Sequence, residues 1–271
     1  MPFTLNNPPV QEAWIGFNFK MDEETPPSWE QIKDFLEKGH YCKQNNLDIL
    51  EPLTEVEVQI SKTLETSKTG AKLKLFRAHN TAGDRFVFLS PKMLQYNMVR
   101  LSDTKWPEFH CLRKQTLEVF KEYTEIFPRE LGDLAIGYID IIEIPVKPNG
   151  SVSLGDYFTY FSGKNSNQNS DNSLCHFDIQ NTLSISDPKC TLFWRLHPAP
   201  FHRDPDDSSQ TQGFARFRME WRLVCPMISL PSDSTIADNL NTLHDNVVLS
   251  AFRGFFTDAC WELFKPEDNN K

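Results

Sequence analysis

The spacing between apolar residues switches twice along this chain, and these switches constrain its fold more than any single motif. Apolar and polar residues alternate in several segments between residues 12 and 101, and again between residues 133 and 224. Each series gives way to helical spacing, first from Phe109 to Phe127 and then from Ile236 to Leu263. Alternation is typical of strands with one buried face, whereas a period of about 3.6 residues is typical of helices. The pattern therefore predicts two groups of strands, each closed by a helix.

This order predicts an α+β protein with a predominantly antiparallel sheet, or sheets, and long helices on one face. Residues 1–132 and residues 133–271 each follow the order β…βββα. We interpret them as an N-terminal and a C-terminal α+β half, either tightly packed against each other or merged into one domain.

Helix boundaries are indicated by capping boxes at Ser28–Gln31 and Thr235–Asp238. The second box begins a helix whose apolar stripe runs to the end of the pattern without a proline. At ~1.5 Å per residue, we expect this helix to be continuous and roughly 40 Å long. A stripe of this kind needs tertiary burial, so Leu243, Val247 and Phe255 should be buried.

Net charge and composition exclude several classes of partner. The formal net charge of −9 disfavours bulk binding of nucleic acid or of an anionic membrane, because both need a basic surface. The apolar runs are shorter than a bilayer span, and the N-terminal residues lack the features of a secretory signal. Six cysteines occur without a CxxC pair, which indicates reduced packing thiols. These features predict a cytoplasmic protein that does not bind membranes.

The stretch GYIDIIEIP, residues 137–145, places Asp140 and Glu143 within an apolar run. Side chains of a strand alternate between its two faces, so residues an odd number of positions apart point in opposite directions. The two carboxylates therefore should not share a proton, a metal or a substrate. We predict that they lie on opposite faces of a sheet.

Candidate metal ligands cluster in RLHPAPFHRDPDD, where His197, His202, Asp204 and Asp206 fall close together. Imidazole and carboxylate groups suit zinc or another first-row metal. Three prolines and an acidic run are instead typical of a solvated surface loop, and this is the interpretation we favour. We predict no metal in this segment and no cofactor elsewhere in the chain.

Two cysteines have a histidine neighbour, at His110–Cys111 and Cys175–His176. Adjacent side chains diverge by ~100° on a helix and face apart on a strand, so neither pair is expected to join a nucleophile to its base. His244–Asp245 lies at the edge of the last apolar stripe and is interpreted as a boundary pair. The chain also lacks the glycine-rich motifs GxGxxG and GxxxxGK(S/T). We therefore predict no catalytic residue.

The clearest candidate binding residues are arginines on the outward face of RFRMEWR. Arg216, Arg218 and Arg222 alternate with apolar residues, and Arg195 and His197 alternate in the same way in LFWRLH. A guanidinium ladder on adjacent strands suits the recognition of carboxylate or phosphate. The alternative is a solvated face whose guanidinium groups pair with glutamates.

In this alternative, the expected partners of the arginines are three glutamates. Glu220 lies on the same strand as three of the arginines, and Glu55 and Glu57 lie on an earlier strand. Each such pairing would neutralise one arginine of the ladder.

Several motifs carry a resemblance to a known family. Residues 6–19 read NNPPVQEAWIGFNF, Tyr96 and Trp106 lead into the central helix, and the strand after that helix contains IGYID. These features resemble a sporadically distributed, functionally uncharacterised prokaryotic family of similar length. Its members begin with an NAP-x-x-E type strand and have a later strand like LRYIN; Tyr138–Ile139 match this strand, whereas Gly137 and Asp140 replace its arginine and asparagine. The resemblance implies no chemistry, but a scattered distribution implies a component of a mobile-element or defence-like multi-gene system.

Three functions are consistent with these observations. The leading hypothesis is a non-enzymatic binding or scaffold protein with a protein partner or a homo-oligomeric state, because no catalytic motif is found and aromatic residues and arginine are abundant. The alternative is a domain that senses an anionic small molecule or nucleotide through the arginine-lined sheet face. The third is an enzyme of unrecognised type.

Overall fold

The computed structural model describes residues 9–20, 26–60, 66–101, 108–147, 151–161, 178–199, 214–231 and 234–264. Its strands are β1 (Val10–Phe19), β2 (Ile49–Ile60), β3 (Thr66–His79), β4 (Arg85–Ser90), β5 (Met93–Val99), β6 (Leu131–Pro145), β7 (Ile179–Ser186), β8 (Lys189–Pro198) and β9 (Phe214–Pro226). Its helices are α1 (Trp29–Lys38), α2 (His40–Gln44), α3 (Phe109–Ile126), α4 (Leu154–Tyr157), α5 (Ile236–Thr242), α6 (Leu249–Phe255) and α7 (Asp258–Leu263), and a wide π-helical segment (Leu243–Val248) joins α5 to α6.

The strands form one antiparallel sheet in the order β2-β3-β4-β5-β1-β6-β9-β8-β7. The first strand of each half lies at the centre of the sheet, next to the last strand of the same half. β1 is beside β5, and β6 is beside β9. The halves meet where β1 pairs with β6, from Val10↔Asp140 to Phe19↔Leu131. The predicted α+β class is confirmed, and both halves follow the predicted order β…βββα, with the short helices α1 and α2, or α4, after the first strand.

Helices cover one face of this sheet because every second residue of the central strands is apolar. On β1, Phe19 packs against Tyr123 of α3, with ring centroids 5.3 Å apart. On β8 and β9, Trp194 and Trp221 pack against Phe255 of α6, at 4.8 and 5.1 Å. None of the helices among the described residues is long and apolar enough to cross a bilayer.

The capping boxes form as predicted. The Ser28 hydroxyl accepts a hydrogen bond from the Gln31 N–H at 3.2 Å, and the Gln31 side chain accepts one from the Ser28 N–H at 2.8 Å. Thr235 and Asp238 make the same reciprocal pair at the start of α5. Both boxes satisfy backbone donors that the first turn of a helix leaves without partners.

The prediction of one continuous C-terminal helix is wrong. Phe256 is extended (φ −100°, ψ 144°) and forms a β-bridge with Phe158, so the helical path ends at Phe255 and resumes in α7. The Thr159 hydroxyl donates to the Gly254 carbonyl at 2.7 Å, and the Thr257 N–H donates to the Tyr157 carbonyl at 3.0 Å. Contacts with the segment around α4 therefore satisfy the groups that continued helix would have paired.

The burial predicted for the C-terminal stripe is confirmed. Leu243, Val247 and Phe255 are 0%, 6% and 8% exposed. Ring contacts with Trp194, Trp221 and Phe158 enclose Phe255. The stripe is core rather than a free docking face.

Candidate binding groove on the open face of the sheet

The face of the sheet opposite the helices carries one row of paired residues that crosses five strands. Trp14 of β1 is paired with Gly137 of β6, and Gly137 is paired in turn with Arg222 of β9. The row continues to Phe193 of β8 and ends at Thr182 of β7. Adjacent strands lie about 4.8 Å apart, so side chains two strands apart can flank a common ligand.

Gly137 allows the indole of Trp14 to lie flat on the sheet. A Cβ atom added to Gly137 would lie 2.1 Å from Cε2 and 2.3 Å from Nε1 of Trp14, distances that no side chain tolerates. The indole therefore occupies the space above β6 and forms an apolar floor next to Arg222. A larger residue at position 137 would lift the ring away from the sheet.

A groove of about 390 Å³ follows this row and opens to solvent. Trp14, Ile139 and Phe193 supply its apolar surface. Gln180 and Thr182 of β7 form one end, where they add uncharged polar groups. The volume lies in the range of sites that hold small molecules.

The charged residues of the groove differ in whether they have a partner. Arg195 makes two hydrogen bonds with Asp178, at 2.9 Å from Nε and 2.6 Å from Nη2. This guanidinium group holds the pKa of the Asp178 carboxyl below its ordinary value. Arg195 is therefore already neutralised by a bidentate ion pair, the geometry in which arginine binds carboxylate best.

Two further arginines of the predicted ladder, Arg216 and Arg218, also have acidic neighbours. Arg218 donates to Glu220 at 2.7 Å, and His197 Nε2 lies 3.7 Å from the same carboxylate. Arg216 Nε lies 3.1 Å from Glu143 Oε1, an ion pair without hydrogen-bond geometry. Pairing with acids thus accounts for three of the four predicted arginines, and Glu220 is one of the acids expected.

Glu55, the acid predicted on a distant strand, does not reach these arginines. It pairs with Lys74, and β2 and β3 lie at the opposite edge of the sheet from β8.

Arg222 is the exception among the predicted site residues. It is exposed, and no carboxylate among the described residues pairs with it. Trp14, lying over Gly137, is on one side of it, and Phe193, which is 41% exposed, is on the other. The row therefore places one unneutralised cation between two aromatic side chains.

The helix-covered face holds a second unusual group, the carboxylate of Asp140. Asp140 is fully buried while Glu143 is exposed on the open face, which confirms that the two acids lie on opposite faces. Neither oxygen of Asp140 has a hydrogen-bond partner among the described residues, and Trp221 Nε1 also lacks one. Burial raises the pKa of Asp140 to about 7, and the nearby Trp221 N–H offsets only part of this rise. The folded protein therefore favours the uncharged form of Asp140 below about pH 7.

Among the described residues, the remaining sequence candidates do not assemble into a site. His197 is described, with Nδ1 3.0 Å from the Pro198 carbonyl oxygen, whereas His202, Asp204 and Asp206 lie outside the described residues. Within the described ranges, no three histidine, cysteine or acidic side chains are grouped so that they could hold a metal ion. His244 stacks on Phe109 at 3.8 Å.

The prediction that His110 and Cys111 diverge is wrong, because His110 Nε2 lies 3.3 Å from Cys111 Sγ. His110 Nδ1 also lies 3.1 Å from Glu108 Oε2. The side chains of His110 and Glu108 are more than 60% exposed, so packing among the described residues does not hold them in a reactive geometry. The Cys175–His176 pair lies outside the described residues.

Sequence reasoning missed the aromatic walls of the groove. Trp14 alternates with the buried residues of β1, so a large aromatic on an otherwise polar face was the available signal. Its pairing with Gly137 depends on the register between β1 and β6, which a single sequence does not show.

Comparison with known proteins adds no assignment. No protein-family model matches the chain, and a search of curated proteins finds no match.

Proposed function

We propose that this chain is a non-enzymatic binding protein whose open-face groove holds a small organic anion. Arg222 binds the carboxylate or similar anionic group, while Trp14 and Phe193 contact its apolar body. The observation that supports this proposal is the single unpaired arginine in a groove whose other arginine, Arg195, is bound to Asp178.

The chemistry of the row fits this class of ligand. A charge-assisted hydrogen bond to a guanidinium group is stronger than one between neutral groups, and aromatic faces add contact area at low entropic cost. The neighbouring Glu220 carboxylate disfavours ligands with several negative charges. We therefore expect a monoanion with a flat or aliphatic body rather than a polyphosphate.

Membership in a multi-gene bacterial system and a cytoplasmic location remain predictions. Catalysis has less support, because His110, which contacts the half-buried Cys111, is itself an exposed side chain.

A thermal-shift screen followed by calorimetry tests the anion site. The probes are benzoate, phenylacetate and hexanoate, each compared with its uncharged amide. We expect at least one carboxylate to bind and its amide to bind much more weakly. Arg222→Gln should weaken binding by about tenfold or more, since loss of a charged hydrogen bond costs roughly 1.5–3 kcal/mol.

Arg216→Gln is the matched control. It changes the same residue type on the same face of β9, but Arg216 lies outside the groove and beside Glu143. This variant should bind the probe as the unmodified chain does. Equal affinities for the Arg222→Gln and Arg216→Gln variants, or no binding of any carboxylate in the panel, would refute the proposal.

A further inference from the structure

The two edge strands of the sheet differ in how well they resist pairing with another chain. Edge strands expose backbone N–H and C=O groups, and proteins commonly protect them with charged residues or proline. β2 contains Pro52 and three glutamates. β7 has the sequence IQNTLSIS, which contains no charged residue and no proline.

The outer side of β7 has no strand partner among the described residues. Alternate N–H and C=O groups of an antiparallel edge strand point away from the sheet, so β7 can accept one more strand. Asn181 Oδ1 accepts the Thr182 N–H at 2.7 Å, which is a local bond that a partner strand can replace.

The apolar layer between sheet and helices also stops short of β7. Leu192 of β8 is 2% exposed, but Leu183, its partner on β7, is 46% exposed. Leu183 therefore lies at the uncovered end of the buried apolar layer. A second apolar surface placed along β7 would continue that layer.

We infer that β7 pairs antiparallel with β7 of a second copy of this chain, with Leu183 opposite Leu183, so that one sheet runs through both copies. A two-fold axis at Leu183 makes the contact self-complementary, as a symmetric dimer requires. Ser184 then faces Thr182 of the other copy and Ser186 faces Gln180, so hydroxyl and amide groups meet on the open face.

Charge favours β7 over β2 as the strand that pairs with a second copy. The chain carries a net charge of −9, so two copies repel each other wherever acidic surfaces meet. β7 brings no charge to the contact. The acids that flank it, Asp178 and Asp187, would face positions 188 and 179 of the other copy rather than each other. β2 paired with itself would instead bring glutamates together.

This interface does not cover Arg222, although Gln180 and Thr182 of β7 line one end of the groove. Arg222 lies on β9, two strands in from the edge, and remains open when β7 is paired. A variant that no longer dimerises should therefore still bind the carboxylate probe, so failure of one proposal is distinguishable from failure of the other.

Sedimentation velocity and light scattering of the full chain over a range of micromolar concentrations test the pairing. We expect a dimer, and we expect Leu183→Lys to weaken it by about tenfold or more, because two ammonium groups then meet at the axis. Leu183 is already half exposed, so the variant should fold, which circular dichroism checks. Ile126→Lys, at an apolar residue on α3 that is 54% exposed, should leave the dimer intact.

A mixing experiment identifies the partner surface. Leu183→Lys and Leu183→Glu should each be mainly monomeric, and a mixture of the two should form a heterodimer through opposite charges at the axis. A wild-type chain that is monomeric throughout this range would overturn the inference. So would a Leu183→Lys variant that dimerises as well as the wild type, or a mixture that forms no heterodimer.

Discussion

At the residue scale, Asp140 is a carboxyl group that the fold keeps protonated below about pH 7. Its oxygens lack partners among the described residues, and burial raises its pKa to about 7, whereas an unfolded aspartate titrates near ~3.9. Between these values the folded chain holds a proton that the unfolded chain releases. Stability should therefore fall as the pH rises through this window, and the full cost should be present above about pH 7.

We expect Asp140→Asn to stabilise the protein at about pH 8 and to change its stability little at about pH 4. The difference should be on the order of 3–4 kcal/mol, because the amide cannot ionise and each pKa unit corresponds to about 1.4 kcal/mol. Urea unfolding at both pH values measures it. Glu143→Gln, on the exposed face of the same strand, is the control and should show no such gain at high pH. An Asn variant that is equally or less stable at the higher pH would show that the carboxylate finds a partner.

Sequence alone predicted that the two acids of β6 lie on opposite faces, because alternation follows from strand geometry. It did not predict the free charge of Arg222 or the indole floor beside it. Both depend on which residues face each other across strands: Gly137 between Trp14 and Arg222, and Asp178 close to Arg195. Register depends on residues that are far apart in the sequence. The four arginines were therefore predictable as a set, but the sequence did not show which of them would lack an acidic partner.

At the element scale, the interrupted C-terminal helix shows that the spacing of apolar residues alone does not determine where a helix ends. The apolar stripe continues at helical spacing through Phe256, but this residue pairs with Phe158, almost a hundred positions earlier. One local signal was present: Thr257 is an N-cap whose hydroxyl accepts the Cys260 N–H at 3.3 Å. A cap within an apparent helix indicates a new start, and here it marks α7.

The same element yields a stability prediction. Phe255→Ala should cost about 3–5 kcal/mol, because the ring is enclosed by Trp194, Trp221 and Phe158 and its removal leaves a cavity. Chemical denaturation of the full chain measures this loss. Ser250→Ala, at an exposed position on α6, should change the unfolding free energy by less than about 0.5 kcal/mol. An unchanged melting temperature for Phe255→Ala would mean that α6 does not contribute to the core.

At the scale of the whole molecule, the two predicted halves share one sheet. Their first strands, β1 and β6, pair along most of their length at its centre. Separating the halves would expose two long central strands, and both carry apolar residues on the face that the helices cover. Residues 1–132 and 133–271 are therefore expected to unfold together, although each repeats the same order of elements.

Two core variants in opposite halves test this cooperativity. Leu36 of α1 and Leu240 of α5 are 2% and 0% exposed, so each Leu→Ala change should cost about 2–5 kcal/mol. If the sheet couples the halves, each variant lowers one common transition, and far-ultraviolet circular dichroism and tryptophan fluorescence melt together. Lys33→Ala, at an exposed position on α1, should leave that transition in place. Independent halves would instead give two transitions, with Leu36→Ala moving one and Leu240→Ala the other, and the β1–β6 pair would then be a contact between separately stable domains.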